Sequence, residues 1–310
     1  MDVSLLDMLQ LPFMARAMIT LAVLALAAGV VGLGISFREM EFVSDGVVHA
    51  VFPGLVVGSL VAGTAGLLPG ALIAAVLAAV LFTVLERRRG SSSDAAIAVV
   101  LTGLFSLGVV LVSKQHGYVS QLQELLFGHL LTVTPEQLWQ IVVVAVLAIG
   151  VMLVTGRAQL FRAFDPAGFA AAGFRPLVTD LALAVATSLL VVAGVQALGV
   201  LMVVSLLTVP MGVARLVTRR LGALVPIAVL VPLIVGALGL WWSFEWSVLH
   251  DVSVSPGALV VLLLVAAYLV AVAVRLIAQA TGARRRRRVS SGASAIAGAR
   301  GSAHPGRVAP

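Results

Sequence analysis

Long apolar runs recur along the chain from Ala15 almost to Ala280, separated by short stretches carrying arginine, glycine and proline. Each run is continuous and reaches about 20 residues, the length a helix needs to cross the ~30 Å hydrocarbon core of a bilayer. Barrel strands would instead alternate apolar and polar residues with period two over ~10 residues. Inside lipid only helices and closed barrels satisfy every backbone N–H and C=O. The pattern therefore predicts an all-α, polytopic transmembrane bundle of about nine spans: 14–36, 45–63, 66–86, 94–113, 137–155, 177–194, 196–216, 222–241 and 256–280. Gly63-Thr64-Ala65-Gly66 and Gly194-Val195-Gln196 are tight connections, so the spans they join should be antiparallel neighbours. The second divides one nearly unbroken apolar stretch, and its position at Gln196 rests on length alone.

Composition agrees with this pattern. Of 310 residues 61% are hydrophobic and 11% charged, against about 25% charged in a soluble domain. There is no cysteine, which excludes disulfides, thiolate metal ligands and iron–sulfur clusters. Asp2 and Asp7 precede the first apolar stretch without a basic segment, so no cleavable signal peptide is expected. The net charge of +7 comes mostly from Arg284 to Arg288. A basic run just after an apolar helix marks the cytoplasmic side of a membrane and a lipid neighbour, with no nucleic-acid partner required. With the N-terminus extracytoplasmic and the C-terminus cytoplasmic, all of the 20 basic residues except Arg16 and Lys114 fall on or near the cytoplasmic side, a strong positive-inside bias. Trp241, Trp242, Phe244 and Trp246 then fall at the outer interface. The expected organisation is a transmembrane domain at 1–283 and a basic cytoplasmic tail at 284–310, without regular structure from Ser290 on.

Several kinds of chemistry are missing. Lys114 is the only lysine, and no Gly-x-x-x-x-Gly-Lys-Ser/Thr, His-Glu-x-x-His or Gly-x-Ser-x-Gly occurs, so the chain lacks a P-loop, a zincin site and a nucleophile elbow. Transport energised by another chain is the economical reading, and no permanently bound cofactor is expected. The alternative is a proton-coupled secondary metal transporter using Asp45, His49 and Asp180, although two corresponding halves are not visible.

The most informative segment is Ser44-Asp45-Gly46-Val47-Val48-His49-Ala50-Val51-Phe52-Pro53-Gly54. Asp45 and His49 are four apart and share one helix face. A carboxylate and an imidazole so placed suit Zn²⁺, Mn²⁺ or Fe²⁺, and an ionised aspartate inside a span is costly enough to default to function. The spacing alone leaves a second reading equally open: Asp45 caps its span and His49 bonds a neighbouring helix.

Ser44 to Gly54 resembles the Ser-Asp…Ser-His-Ala-Val-Leu-Pro-Gly signature of the ABC-type manganese/zinc/iron permeases, the metal-chelate importer family. Three more segments follow in that family's order. Leu125 to Glu136 is similar to its Leu-Phe-Gly-Asp-Ile-Leu-x-Val-Ser loop. Phe164-Asp165-Pro166 with Ala171 and Gly173 resembles its Phe-Asp-Pro-Glu-x-Ala-x-Ala-x-Gly segment. Gly199 to Val203 and Pro210 to Arg215 resemble its Gly-Val-Leu-Leu-Val…Pro-Ala-Ala-x-Ala helix.

The resemblance covers about residues 14 to 280. It implies a permease subunit in the bacterial plasma membrane that passes a divalent transition metal inward. A second permease copy would complete the pathway, a cytoplasmic ATPase dimer would drive it, and an extracytoplasmic metal-binding lipoprotein would load it. Asp45 and His49 match the metal-coordinating pair. Asp165, Pro166, Ala171 and Gly173 match the ATPase-coupling segment, about 157–175. This chain departs from the pattern at Ala167, Phe169 and His129. Glu124, His129, His250 and Asp251 are candidates for an outer mouth that attracts cations, with an ordinary solvated loop as the competing reading. Asp180 could pair with Arg175 or face the channel.

Overall fold

The computed structural model describes residues 10–87, 93–113, 123, 126–250 and 254–301. Among these there is no strand. The helices are α1 Pro12–Phe37, α2 Glu41–Ala62, α3 Thr64–Arg87, α4 Ser93–Ser113, α5 Pro135–Phe164, α6 Pro166–Ala171, α7 Pro176–Val217, α8 Leu221–His250 and α9 Pro256–Gly301, with one 3₁₀ turn at Leu130–Thr132. Proline stands in the first turn of α1, α5, α6 and α7, where its missing N–H costs nothing and its fixed φ suits a helix start. Thr134 and Gln137 form a capping box at the head of α5, with bonds of 3.2 and 3.1 Å.

Eight helices among the described residues are long and apolar enough to cross a membrane. One of them, α7, counts twice. Its 42 residues would span about 63 Å if straight. Yet Asp180 near one end and Arg215 near the other both bond to the C-terminal end of α1, through Arg38 and Ser36 respectively. Gly199 has φ 76° and ψ 165°, and a Cβ on Gly194 would sit 2.7 Å from Val203. The element therefore reverses at Gly199 into two antiparallel arms, 176–198 and 200–217, which agrees with nine passes. The reversal falls three residues beyond the expected Gln196. The cause is not local. A backbone with these angles is open essentially to glycine alone, and a Cβ there would lie 2.5 Å from the Leu126 carbonyl oxygen.

The chain divides into two compact units, 1–268 and 269–310. In the first, α1 and the arms of α7 form the interior, with Leu21, Leu24, Val31, Leu183, Val191 and Leu198 enclosed. The outer helices turn apolar side chains outward: Val61 is 81% exposed, Val99 72% and Val154 86%. Such an inverted surface belongs to a molecule whose solvent is lipid. Among the described residues the second unit is the remainder of α9. The tail that composition predicts to lack regular structure begins as a continuation of this helix to Gly301, in keeping with the helix propensity of its alanines and arginines.

Two junctions position the candidate site. The α1–α2 turn is three residues long. Arg38 N–H donates to the Gly34 and Ile35 carbonyls at 3.1 and 3.2 Å, and Met40 N–H to Ile35 at 3.0 Å. Glu39 between them has φ 54°, the one positive φ outside glycine among the described residues, which makes this a left-handed helix stop. The α2–α3 turn is shorter still, a single Gly63 at φ 59°. The two helices then pack glycine to glycine. A Cβ on Gly58 would meet the Gly66 backbone, and one on Gly54 would lie 2.5 Å from the Gly70 oxygen. This matches the antiparallel pair expected from Gly63 to Gly66.

Candidate functional site

Helix α2 begins at Glu41, so Asp45 lies one turn inside it, and its N-cap is Met40, with no side-chain cap. The capping reading of Asp45 is thereby excluded. His49 follows on the same face. Its Nδ1 lies 3.0 Å from the Asp45 carbonyl oxygen and 3.3 Å from Asp45 Oδ1. A carbonyl can only accept, so Nδ1 carries the hydrogen, and in the neutral imidazole Nε2 then has a lone pair for a cation. Metal-ligating histidines are commonly oriented in this way. The side chains are 21% and 34% exposed for His49 and Asp45. His49 touches α4 through an edge contact with Phe105 at 5.4 Å, and Phe105 also meets Phe52 at 5.4 Å. The pair is held in place without being sealed in. Among the described residues no group of three or more histidines, cysteines, aspartates or glutamates could hold a metal ion, so the pair has no third protein ligand of these types beside it. One turn beyond His49, Pro53 opens an apolar groove of about 530 Å³, lined also by Val57 and Gly58 of α2, Ile73 and Leu77 of α3 and Leu107 of α4.

The predicted coupling segment forms a built element. Asp165 is the N-cap of α6, its carboxylate accepting the Gly168 N–H at 2.8 Å, and Pro166 is the first helical residue. Ala171 closes the helix and Gly173, at φ 81°, turns the chain away. All four predicted residues are exposed. The departure at Phe169 has a structural explanation. Its ring is 1% exposed, stacked on Phe174 at 5.0 Å and edge-on to Phe161 at 5.5 Å, so it anchors α6 to the end of α5.

Asp180 takes neither of the roles expected of it. Its carboxylate pairs with Arg38 at 2.5 Å and with Arg162 at 2.6 Å, and its side chain is 4% exposed. Arg38 also donates to Gln159 Oε1 at 3.2 Å, and Gln159 Nε2 donates to the Thr179 carbonyl at 2.6 Å. Arg162 donates to Thr179 Oγ1 at 2.8 Å and to the Pro176 carbonyl. Sequence reasoning missed this network. The available signals were Gln159 and Arg162 spaced three apart on one helix and a lone acid inside an apolar run.

Of the outer-mouth candidates, Glu124 and Asp251 lie outside the described residues, as does the side chain of His250. His129 is half-buried. Its N–H donates to the Ala197 carbonyl at 3.1 Å, against the α7 turn, and its Nδ1 is enclosed with no partner among the described residues.

A bundle of this kind, with helices long enough to cross a bilayer and apolar side chains turned outward, defines a polytopic membrane protein. The match to the ABC 3 transport family model covers residues 10–275. The chain belongs to that family, as the resemblance of its four motifs implied. It is a permease subunit of an ABC transporter and a multi-pass protein of the bacterial plasma membrane, a transport component rather than an enzyme.

Among curated proteins it is 29% identical over 256 residues to the manganese transport system membrane protein MntC of Halalkalibacterium halodurans, covering 83% of this chain and 85% of that one. It is 28% identical over 267 residues to MntB, a manganese transport system membrane protein of Synechocystis, covering 86% and 84%. Among solved structures it is similar to PsaBC from Streptococcus pneumoniae in complex with Fab, with a TM-score of 0.74, 25% identity, and 87% of this chain and 95% of that chain covered. A metal-chelate type ABC transporter in an inward-facing conformation shares the fold, with a TM-score of 0.68 at 17% identity.

Proposed function

We propose that this permease imports a divalent transition metal, with Mn²⁺ the first candidate and Zn²⁺ and Fe²⁺ the competitors. Asp45 and His49 take up the ion on its way through. The observation that carries this is the Asp45–His49 pair, a carboxylate and an imidazole one turn apart inside α2, 3.3 Å from each other and both partly open. The names of the manganese transport relatives support the choice of cargo. Two donors are too few for such an ion, which takes four or more ligands. A second copy of the chain, seated on the apolar groove of α2, α3 and α4, would bring a second pair. An ionised Asp45 facing lipid would be costly, which also favours covering that face.

The end of the bundle that gathers Arg38, Arg162 and Arg215 is read as cytoplasmic. There α6 receives a separate ATPase dimer, and an extracytoplasmic metal-binding lipoprotein delivers the ion at the opposite end. The proton-coupled alternative loses one of its three residues, because Asp180 is held by two arginines.

The test is reconstitution with the partner ATPase and binding protein, followed by uptake of Mn²⁺, Zn²⁺ and Fe²⁺. ATP-dependent uptake is expected, falling to background in Asp45→Ala and His49→Ala while the ATPase still co-purifies. Wild-type uptake by both variants would remove the site. Uptake without ATP would replace the importer with a secondary carrier.

A further inference from the structure

Buried ion pairs are weak contributors to stability, since well-packed apolar side chains of similar size often serve as well or better. The network around Asp180 therefore calls for an explanation in terms of what it connects. The chain leaves the bundle after Arg162, forms α6, and returns at Pro176. Arg162 bonds to the Pro176 carbonyl, to Thr179 and to Asp180, so one guanidinium clamps the base of the α6 excursion. Asp180 passes the contact to Arg38, which caps the end of α1. Arg38 is two residues from the N-cap of α2 across the left-handed turn at Glu39. Asp45 follows within two helical turns. Arg38 and Asp180 are 7% and 4% exposed, and charges so enclosed hold their geometry more tightly than in water.

We propose that Arg162, Asp180 and Arg38 are positioning residues that carry movement of α6 to the start of α2, and so to Asp45 and His49. The relay rests on the reading of α6 as the ATPase-driven lever. A purely structural network would lower the yield of folded complex and leave the surviving complexes coupled as in the wild type.

The experiment uses the full-length permease reconstituted with ATPase and binding protein. The chain has no cysteine, so single cysteines replacing Ala171 on α6 or Phe42, exposed on the first turn of α2, can carry spin labels. Nucleotide-dependent distances between labels on the two permease copies are then measured. In Asp180→Asn the α6 label is expected to respond to nucleotide and the α2 label to stay still. Metal ions moved per ATP hydrolysed should fall about tenfold, within the range of single-residue coupling effects.

Arg38→Gln should behave likewise, and Arg38→Lys, which keeps the charge, should recover part of the ratio. These two keep the test decisive if Asp180→Asn does not assemble. A wild-type transport ratio and a wild-type α2 response in Asp180→Asn or Arg38→Gln would overturn the relay. If the unsubstituted permease takes up metal without ATP or binds no ATPase, the importer reading itself falls, and the relay with it.

Discussion

Replacing Gly199 by alanine tests the reversal of α7. Its backbone angles, φ 76° and ψ 165°, cost a residue bearing a Cβ about 1–3 kcal/mol. The added carbon would lie 2.5 Å from the Leu126 oxygen and 2.6 Å from the Phe127 carbonyl carbon, and closer still to the Gly128 nitrogen. All three are backbone atoms, so no side chain can rotate away. The 126–128 loop would have to retreat by about 1 Å, a strain typical of overpacking at about 1–3 kcal/mol. The sum is a loss of about 2–6 kcal/mol.

Gly103→Ala is the control. A Cβ there meets nothing within 4 Å, and removing a glycine from a helix interior should stabilise by roughly 0.5–1 kcal/mol. Thermal unfolding of both variants in one detergent measures the difference. Membrane-impermeant thiol labelling supplies the topology, using single cysteines at the exposed positions Phe174 and Val217. Both should label from the same side. Wild-type stability in Gly199→Ala, with the two cysteines labelling from opposite sides, would mean that α7 crosses once and does not turn.

Phe169→Ala removes a ring enclosed by Phe161 and Phe174 and should cost about 3–5 kcal/mol locally; it should reduce ATPase co-purification, and an unchanged pull-down would refute the anchoring role. Asp165→Ala deletes the α6 N-cap, worth about 1 kcal/mol, and should weaken the same pull-down less. Gly66→Ala places a Cβ 2.7 Å from the Gly58 carbonyl carbon and should destabilise by about 1–3 kcal/mol, read as earlier thermal unfolding than Gly150→Ala, whose Cβ meets nothing within 4 Å.

The helices were legible because lipid tolerates so few solutions. A run must be apolar, helical and about 20 residues long, so the expected spans and the observed helices begin within a few residues of one another. That Asp45 and His49 share one helix face was legible for a related reason, since a charged group is conspicuous in such a run and four-residue spacing fixes its face. Features decided by distant parts of the chain were not legible. Gly199 turns the chain where the backbone of residues 126–128 comes to meet it, and length alone placed that turn at Gln196. Arg175 was the local partner offered to Asp180, whereas Arg38, 142 residues away in sequence, makes the bond. Phe169, a departure from the family pattern by sequence, becomes intelligible only beside Phe161 and Phe174.

The bare seam between α2 and α3 has a mechanical consequence. Where Gly54 and Gly58 rest on Gly66 and Gly70, there is no side chain whose rotamer could absorb slippage, so the two rods behave as a single stiff paddle with Asp45 and His49 fixed near its root. Any displacement of Asp45 and His49 then carries both helices with it. The contact between Phe52 and Phe105, with ring centroids 5.4 Å apart, ties that paddle to α4.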